Sequence, residues 1–219
     1  MNRVVVFARV PRPALVASPF SPALPAAMAA ELHAALLADT LAAVAGCTAD
    51  GRAVAWAEGD PADVPAGFRS LAQRGEERAA RLAGAFDDAL TAVGDRVLVV
   101  GSDYPALRAA HLDEAFAALA THDVAFGPAS QGGHWLVAMS RPASELFRGA
   151  AWNADADPVA ALDHAAGLGL GVAMLTVLDA LATPADLARL IGECAAAGTG
   201  TPPCGPHTYA LLRAHGLVG

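Results

Sequence analysis

The chain has 219 residues, 55% hydrophobic and 16% charged, so it can bury one sizeable core and lies far from the composition of a disordered chain. A formal charge of −8 with no basic stripe argues against a nucleic-acid partner, and because all 14 cations are arginine, Schiff-base lysine chemistry and a P-loop lysine are excluded. Three cysteines, Cys47, Cys194 and Cys204, fall in no CxxC pair, which fits reduced thiols better than a disulfide or zinc framework.

Read in chain order, "RVVVFARV" (3–10) is a continuous apolar run of the buried parallel-strand kind. Pro11, Pro13, Pro19 and Pro22 then forbid a helix and predict a long loop. Residues 25–44 carry an Ala/Leu helical pattern, with Pro25 at its start and Gly46 as a natural stop. A strand is expected over 52–58, an amphipathic helix over 78–93, a buried strand in "RVLVVGSD" and a helix over 108–121. "DVAFGPA" and "HWLVAMS" read as two strands around "SQGG", whose adjacent glycines permit positive φ. A helix over about 157–168 and a strand over 171–178 follow. The next helix opens at "TPADL" with Thr183 as N-cap and Pro184 at its first position, and a short helix spans 206–215.

This alternation predicts an α/β layered fold with a mainly parallel sheet and one antiparallel hairpin. No polar, Ser/Gly-rich or charge-block linker divides it, so a single domain over 1–219 is expected. Apolar runs of membrane-spanning length are broken by Asp, Glu, Arg or Pro, and the N-terminal run is too short for a signal peptide core. The expectation is a soluble cytoplasmic protein with neither a membrane nor a nucleic-acid partner.

The chain lacks G-x-G-x-x-G after a strand, Walker A, G-x-S-x-G and H-E-x-x-H, so the common dinucleotide, P-loop, hydrolase and zincin sites have no motif support. In a parallel sheet, ligands sit beyond the carboxyl ends of the strands. Asp103, at the tip of "VLVVGSD", is therefore placed either to hold Mg²⁺ or Mn²⁺ or to cap the next turn; one or two carboxylates plus substrate phosphates suffice for such an ion. In the proline-rich loop, Arg9 and Arg12 are either phosphate contacts or solvated surface residues, with Ser18 and backbone amides adding hydrogen bonds. A charge pair at about 4 Å is worth roughly 4 kcal/mol at an effective dielectric near 20, before desolvation. A diphosphate bound by a chain of −8 thus needs compensating cations. Around the double glycine, Gln131, Gly132, Gly133 and His134 let the backbone approach a ligand, His134 being either an acceptor-side group or base, or a packed ring beside Trp135. Trp152, Asn153, Asp155 and Asp157 form a stretch of ligand-like chemistry that is equally an ordinary polar turn, while His33 and His164 read as structural or exposed helix residues.

"VVVFARVPRPALVASPFSPAL", "LLADTLAAV", "GEERAARLAGAFDDAL", "VLVVGSDYPAL", "HDVAFGPASQGGHWLVAM", "ELFRGAAW", "ATPADL" and "CGPHTYALL" occur in the order seen in a family of small bacterial GT-A-like transferases. This family is of the radical-SAM/selenodomain-associated type and is similar in fold to the molybdopterin and phospholactate guanylyltransferases. The resemblance spans about residues 4–212 and implies a Rossmann-like GT-A (nucleotide-diphospho-sugar transferase) fold. It also implies a nucleotide or nucleotide-sugar donor, a small-molecule acceptor and a divalent metal on Asp103 of the G-[ST]-D-x-P motif, with Ser102 beside it. Where the family loop reads like P-G-R-V-K-T-R-L, this chain runs from Pro13 to Phe20 without the glycine and the three cations. Gln131 replaces an acidic residue, and Ala180 and Ala182 stand where the family has the two aspartates of D-V-D-T-P. Two readings follow: a glycosyl- or nucleotidyltransferase with an altered donor site, or a degenerate member that binds a ligand or partner or runs other chemistry in the same cleft.

Overall fold

The apolar runs become strands β1 (Asn2–Ala8), β2 (Gly51–Trp56), β4 (Arg96–Gly101), β5 (Val124–Pro128), β6 (His134–Met139) and β7 (Val172–Met174), joined by a short edge strand β3 (Arg69–Ala72). The computed structural model describes residues 1–13, 20, 24–57, 64–148, 152, 158–198 and 200–219. The helices are α1 (Ala26–Gly46), α2 (Arg78–Ala89), α3 (Ala109–Ala118), α4 (Pro158–Gly167), α5 (Pro184–Ala197) and α6 (Pro206–Ala214), with a 3₁₀ turn at Ser144–Phe147. Thr183 caps α5 as expected: its hydroxyl accepts from Asp186 N at 3.2 Å, the Asp186 carboxylate accepts from Thr183 N at 2.8 Å, and Pro184 follows at the first helical position.

The seven strands lie in the order β3-β2-β1-β4-β6-β5-β7, all parallel except β6, which runs antiparallel to both β4 and β5. The mainly parallel sheet with one hairpin is thus present. Because side chains alternate across a strand, Val4 and Val6 pack with Leu37, Val44, Leu112 and Phe116 of α1 and α3. Val5, Val97 and Val99 face the opposite layer, with Leu82 and Phe86 of α2. That two-sided burial is why these strands read as unbroken apolar runs.

A third cluster joins α1 to α5 and α6 through Leu32, Leu36, Leu187, Leu190 and Leu212. By length and composition α1 could cross a membrane, but here it is a layer of the fold. Its buried Asp39 accepts from His207 N at 2.9 Å and Thr208 N at 2.8 Å at the start of α6, where the exposed backbone donors and the helix dipole favour a carboxylate. Gly205 precedes them because a Cβ there would fall inside the Asp39 carboxylate.

Two elements depart from expectation. β3 was unforeseen: its four residues are mostly exposed and pair on one side with β2, so no apolar alternation marks them. The strand expected over 171–178 keeps a regular ladder only at Val172–Met174; beyond it, Leu175 N donates to Phe126 O at 2.9 Å and Leu178 bridges Ala129. The double glycine does take positive φ, 99° at Gly132 and 69° at Gly133.

Candidate active site

Parallel β1, β2 and β4 end on the same side of the sheet, and their exits open onto a cleft of about 840 Å³. β4 stops at Gly101, Ser102 is buried beneath the cleft, and Asp103 follows with a side chain 57% exposed. The backbone around Asp103 is held from three sides. Leu107 N donates to Tyr104 O at 3.0 Å, Leu181 N donates to Asp103 O at 2.8 Å, and the Arg108 guanidinium donates to Pro105 O at 3.1 Å and Leu107 O at 2.9 Å. The carboxylate is consequently presented by a fixed turn while its own oxygens face the cleft.

Two side chains outside the candidate set read from the sequence, His33 and Tyr104, stand beside Asp103. His33 reaches over from α1, its Nε2 donating to Arg9 O at 3.1 Å and its Nδ1 standing 3.6 Å from Asp103 Oδ1. Burial works against a charge on this ring, but the hydrogen bond to Asp103 and the carboxylate's field outweigh it and raise the pKa above the ordinary histidine value. His33, read from the sequence as structural or exposed, is mostly buried and ties the exit loop of β1 to Asp103 at the cleft. Tyr104 lines the cleft with its hydroxyl donating to His134 O at 3.2 Å, and burial pushes that phenol up to about 12.

The walls differ in chemistry. On the α1 side they are apolar, with Phe20, Leu32, Leu36 and Leu181. On the other side the start of α2 contributes Glu76, Glu77, Arg78 and Arg81. Arg78 Nη2 donates to His134 O at 3.3 Å; Arg81 donates to Gly75 O at 3.0 Å and Glu76 O at 3.2 Å, bracing the rim. The signal for this wall was the charged run "GEER" before the helix, whose direction in space no periodicity gives.

Of the residues singled out in the sequence, Asp103, Ser102, Arg9 and His134 line the cleft. Arg12 is exposed and is not among the lining residues, its backbone N donating to Val10 O at 2.8 Å. Ser18 and Asp155 lie outside the described residues, as do Asn153 and Asp157. The other candidates are used elsewhere. Gln131 latches the hairpin to the loop before α5: its Oε1 accepts from Ser130 Oγ and Ala180 N, both 2.9 Å, and its Nε2 donates to Ala180 O and Asp186 Oδ1, both 3.1 Å. Neither it, Gly132 nor Gly133 lines the cleft.

Trp152 is 3% exposed, packs on Phe126 and Phe147 with centroids 5.8 and 4.8 Å away, and donates its indole N–H to Leu146 O; it too lies off the cleft. The ring of His134 is wedged between Phe126 and Trp152, with centroids 5.1 and 5.4 Å away, and its buried Nε2 finds no partner among the described residues. Burial, with the Arg78 charge adding, lowers its pKa to about 4, so the ring is neutral at pH 7. Of the two alternatives for His134, the packed ring describes its surroundings.

No group of three or more His, Cys, Asp or Glu side chains able to hold a metal occurs among the described residues. An exposed carboxylate in a wide cleft fits a hard divalent cation that shares its coordination with substrate phosphates and water, since such ions need few protein ligands. Ala182, one of the two positions where the resemblance implies an aspartate, lines the cleft with a methyl group.

A family model described as an uncharacterised protein conserved in bacteria, DUF2064, matches residues 29–154. No curated protein matches the chain. Among solved structures, a candidate nucleotide-diphospho-sugar transferase from Desulfovibrio desulfuricans G20 is 26% identical with a TM-score of 0.85, over 99% of this chain and 96% of that one. Rv0371c from Mycobacterium tuberculosis H37Rv is 18% identical with a TM-score of 0.57, covering 87% and 97%, and has also been solved in complex with manganese. The 2-C-methyl-D-erythritol 4-phosphate cytidylyltransferase of Thermus thermophilus is 17% identical with a TM-score of 0.54, covering 86% and 97%. The nucleotide-diphospho-sugar transferase type of α/β fold is common to these neighbours and to this chain.

Proposed function

The chain belongs to the DUF2064 family of bacterial proteins, and from that premise and the geometry of the cleft we propose that it is a transferase acting on a nucleotide donor, moving a nucleotidyl or glycosyl group to a small-molecule acceptor. The observation that carries the reading is the exposed Asp103 carboxylate at the end of a central strand, in a cleft that also holds Arg9, Arg78 and Arg81. The likeness to the Desulfovibrio desulfuricans protein supports a nucleotide-diphospho-sugar donor. The manganese complex of Rv0371c makes Mn²⁺ the first ion to test, with Mg²⁺ beside it.

In this reading Asp103 would hold the divalent cation, which when bound neutralises phosphate charge and so favours departure of the leaving group. The chain's own residues do the rest. His33 keeps the Arg9 carbonyl and the Asp103 carboxylate in one arrangement, so the loop and the acid meet the donor together. Arg78 and Arg81 supply positive charge from α2 in place of the cations missing from the loop after β1. Tyr104 and the aromatic packing around His134 wall off the floor from water.

The test is thermal denaturation of the full chain with nucleotides and nucleotide sugars, each with and without Mn²⁺. The expected result is stabilisation that needs both nucleotide and metal in the wild type and disappears in Asp103→Ala, with reduced stabilisation in Arg78→Ala and Arg81→Ala. If no nucleotide stabilises the wild type with either ion, the transferase reading fails and the degenerate one, favoured by the methyl group of Ala182 in the cleft wall, takes its place.

A further inference from the structure

We propose that Cys194 and Cys204 are a latent disulfide: on exposure to hydrogen peroxide they join covalently and cross-link the end of α5 to the segment that opens α6. Their sulfurs stand 3.6 Å apart, Cys194 is 2% and Cys204 4% exposed, and Leu187, Leu190 and Leu212 belong to the same cluster. Cys204 directly precedes Gly205, the residue before the first turn of α6, so two elements close in sequence bring the thiols face to face. A disulfide holds its sulfurs about 2.0 Å apart, so the two side chains must close the remaining distance by rotation about their χ angles. Spacing alone concealed this pair, because the ten-residue separation matches no thiol motif and the contact forms where the chain before α6 returns to the end of α5.

The surroundings act on both thiols. Burial raises both thiol pKa values; the hydrogen bond from Cys204 works in the opposite direction on Cys194, whereas Cys204 is lifted to about 12, with Cys194 and Asp39 adding to the burial. Either sulfur can open the reaction as its thiolate, and the balance is the same from both sides. With Cys194 first, its sulfur bonds to one peroxide oxygen as the O–O bond breaks, giving a sulfenic acid and a hydroxide that takes up a proton to become water. The Cys204 sulfur then attacks the sulfenic sulfur: the S–S bond forms, the S–O bond breaks, and the hydroxyl leaves with the Cys204 proton as a second water. Two thiols and one hydrogen peroxide thus yield a disulfide and two waters, the sulfurs losing the two electrons that the O–O bond gains. The nearly sealed site favours this small uncharged oxidant over a bulky disulfide such as oxidised glutathione.

The cross-link would lie directly behind the turn that carries Asp103. Cys204 O accepts from Arg108 Nη2 at 3.0 Å, the same guanidinium holds Pro105 O, and Gly205 N donates to Pro105 O at 3.1 Å.

The experiment treats the folded full chain with hydrogen peroxide, quenches it, and counts thiols after denaturation beside intact mass and peptide mapping. The expected result is a fall from three thiols to one, the loss of the mass of two hydrogens, and a dithiothreitol-reversible bridge mapped to Cys194 and Cys204 with Cys47 still reduced. Oxidised protein is also expected to unfold at a temperature several degrees higher, because the closed loop restricts the unfolded chain. Cys47→Ser should form the bridge as wild type does and Cys194→Ser should not. Three surviving thiols, over-oxidation of Cys194 without a bridge, or a bridge between two chains would each overturn the proposal. Mapping of the wild type decides the matter even if a serine variant fails to fold.

Discussion

Two aspartates at opposite ends of the central strand β4 have opposite surroundings. Asp95, just before the strand, is 3% exposed and its carboxylate accepts from five donors: the Met1 ammonium, the Arg3 guanidinium, Thr91 N, Thr91 Oγ1 and Ala92 N. Asp103, just after it, is 57% exposed, and its carboxylate has the His33 ring at 3.6 Å. One carboxylate closes the bottom of the sheet by using up its hydrogen-bonding capacity; the other keeps capacity for a ligand. The same residue type thus serves stability at one end and, in the proposed function, ligand binding at the other, and the number of donors around it sets the difference.

The comparison breaks most visibly by exchanging the two losses. Asp95→Ala should give the largest fall in stability of the substitutions considered, since it strands several backbone and side-chain donors at once, while leaving any nucleotide-induced thermal shift of the same size as in wild type. Asp103→Ala should do the reverse, abolishing that shift with the unliganded melting temperature nearly unchanged. Acid titration separates them further. The Arg3 guanidinium beside Asp95, helped by the N-terminal ammonium and Ala92 N, holds its carboxyl well below the usual carboxylate range. Its contribution is therefore complete above the unfolded-state pKa of about 3.9 and is lost as the pH falls below that toward the folded value. Asp95→Asn should flatten this part of the acid-unfolding profile, and a profile unchanged by the substitution would sink the account of the lower end.

A smaller effect sharpens what the upper end costs. His134 sits in the cleft wall with its pKa lowered to about 4 by burial, so the native state resists the proton that the unfolded chain accepts near 6.5. Stability is then retained above about pH 6.5 and falls as the pH drops from there toward 4, by about 2 kcal/mol at pH 5. Urea denaturation at pH 7 and pH 5 should show that extra loss in the wild type and not in His134→Phe, whose ring suits the slot between Phe126 and Trp152. An equal loss in both proteins would mean that the ring is hydrated or paired rather than sealed.

The lower and upper ends also differ in how much the sequence discloses. Strand β4 and the placement of Asp103 were legible because a two-sided apolar run stopped by Gly, Asp and Pro has one good structural interpretation. The layered fold followed from the same kind of run in β1, β2, β5 and β6, whereas β3 escaped because an exposed four-residue edge strand has neither burial nor alternation to mark it. At the site, what depends on the direction of a side chain was hidden. His33 has an ordinary place in an Ala/Leu helix, yet reaches Asp103 because α1 packs across the ends of β1 and β4. Trp152 and Gln131 have the chemistry of ligand contacts, but the fold assigns one to the core and the other to a loop latch. Arg78 and Arg81 belong to a charged helix start whose target is fixed by the neighbouring strands.

Gln131 allows the smallest of these effects to be tested on a residue that the sequence marks as the loss of an acid. If that loss had emptied the cleft of a metal ligand, Gln131→Glu would restore divalent-cation binding. The geometry opposes this: the amide nitrogen that would become a carboxylate oxygen lies 3.1 Å from both Ala180 O and Asp186 Oδ1, two acceptors, and the residue does not line the cleft. A carboxylate there loses two donated hydrogen bonds and meets a like charge, partly relieved by Arg189, whose guanidinium stands 3.6 Å from the same Asp186 oxygen. Because the site is largely open to solvent, the expected destabilisation is about 1 kcal/mol or less. It should shrink as acid protonates the new carboxyl, which takes up its proton before Asp186, whose hydrogen bonds outweigh burial and hold its pKa below the ordinary value. Mn²⁺ titration of the variant should match wild type; a gain in Mn²⁺ affinity that depends on Glu at 131 would show that the hairpin turns toward the cleft when a ligand binds, and would move the functional boundary drawn between the latch and Asp103.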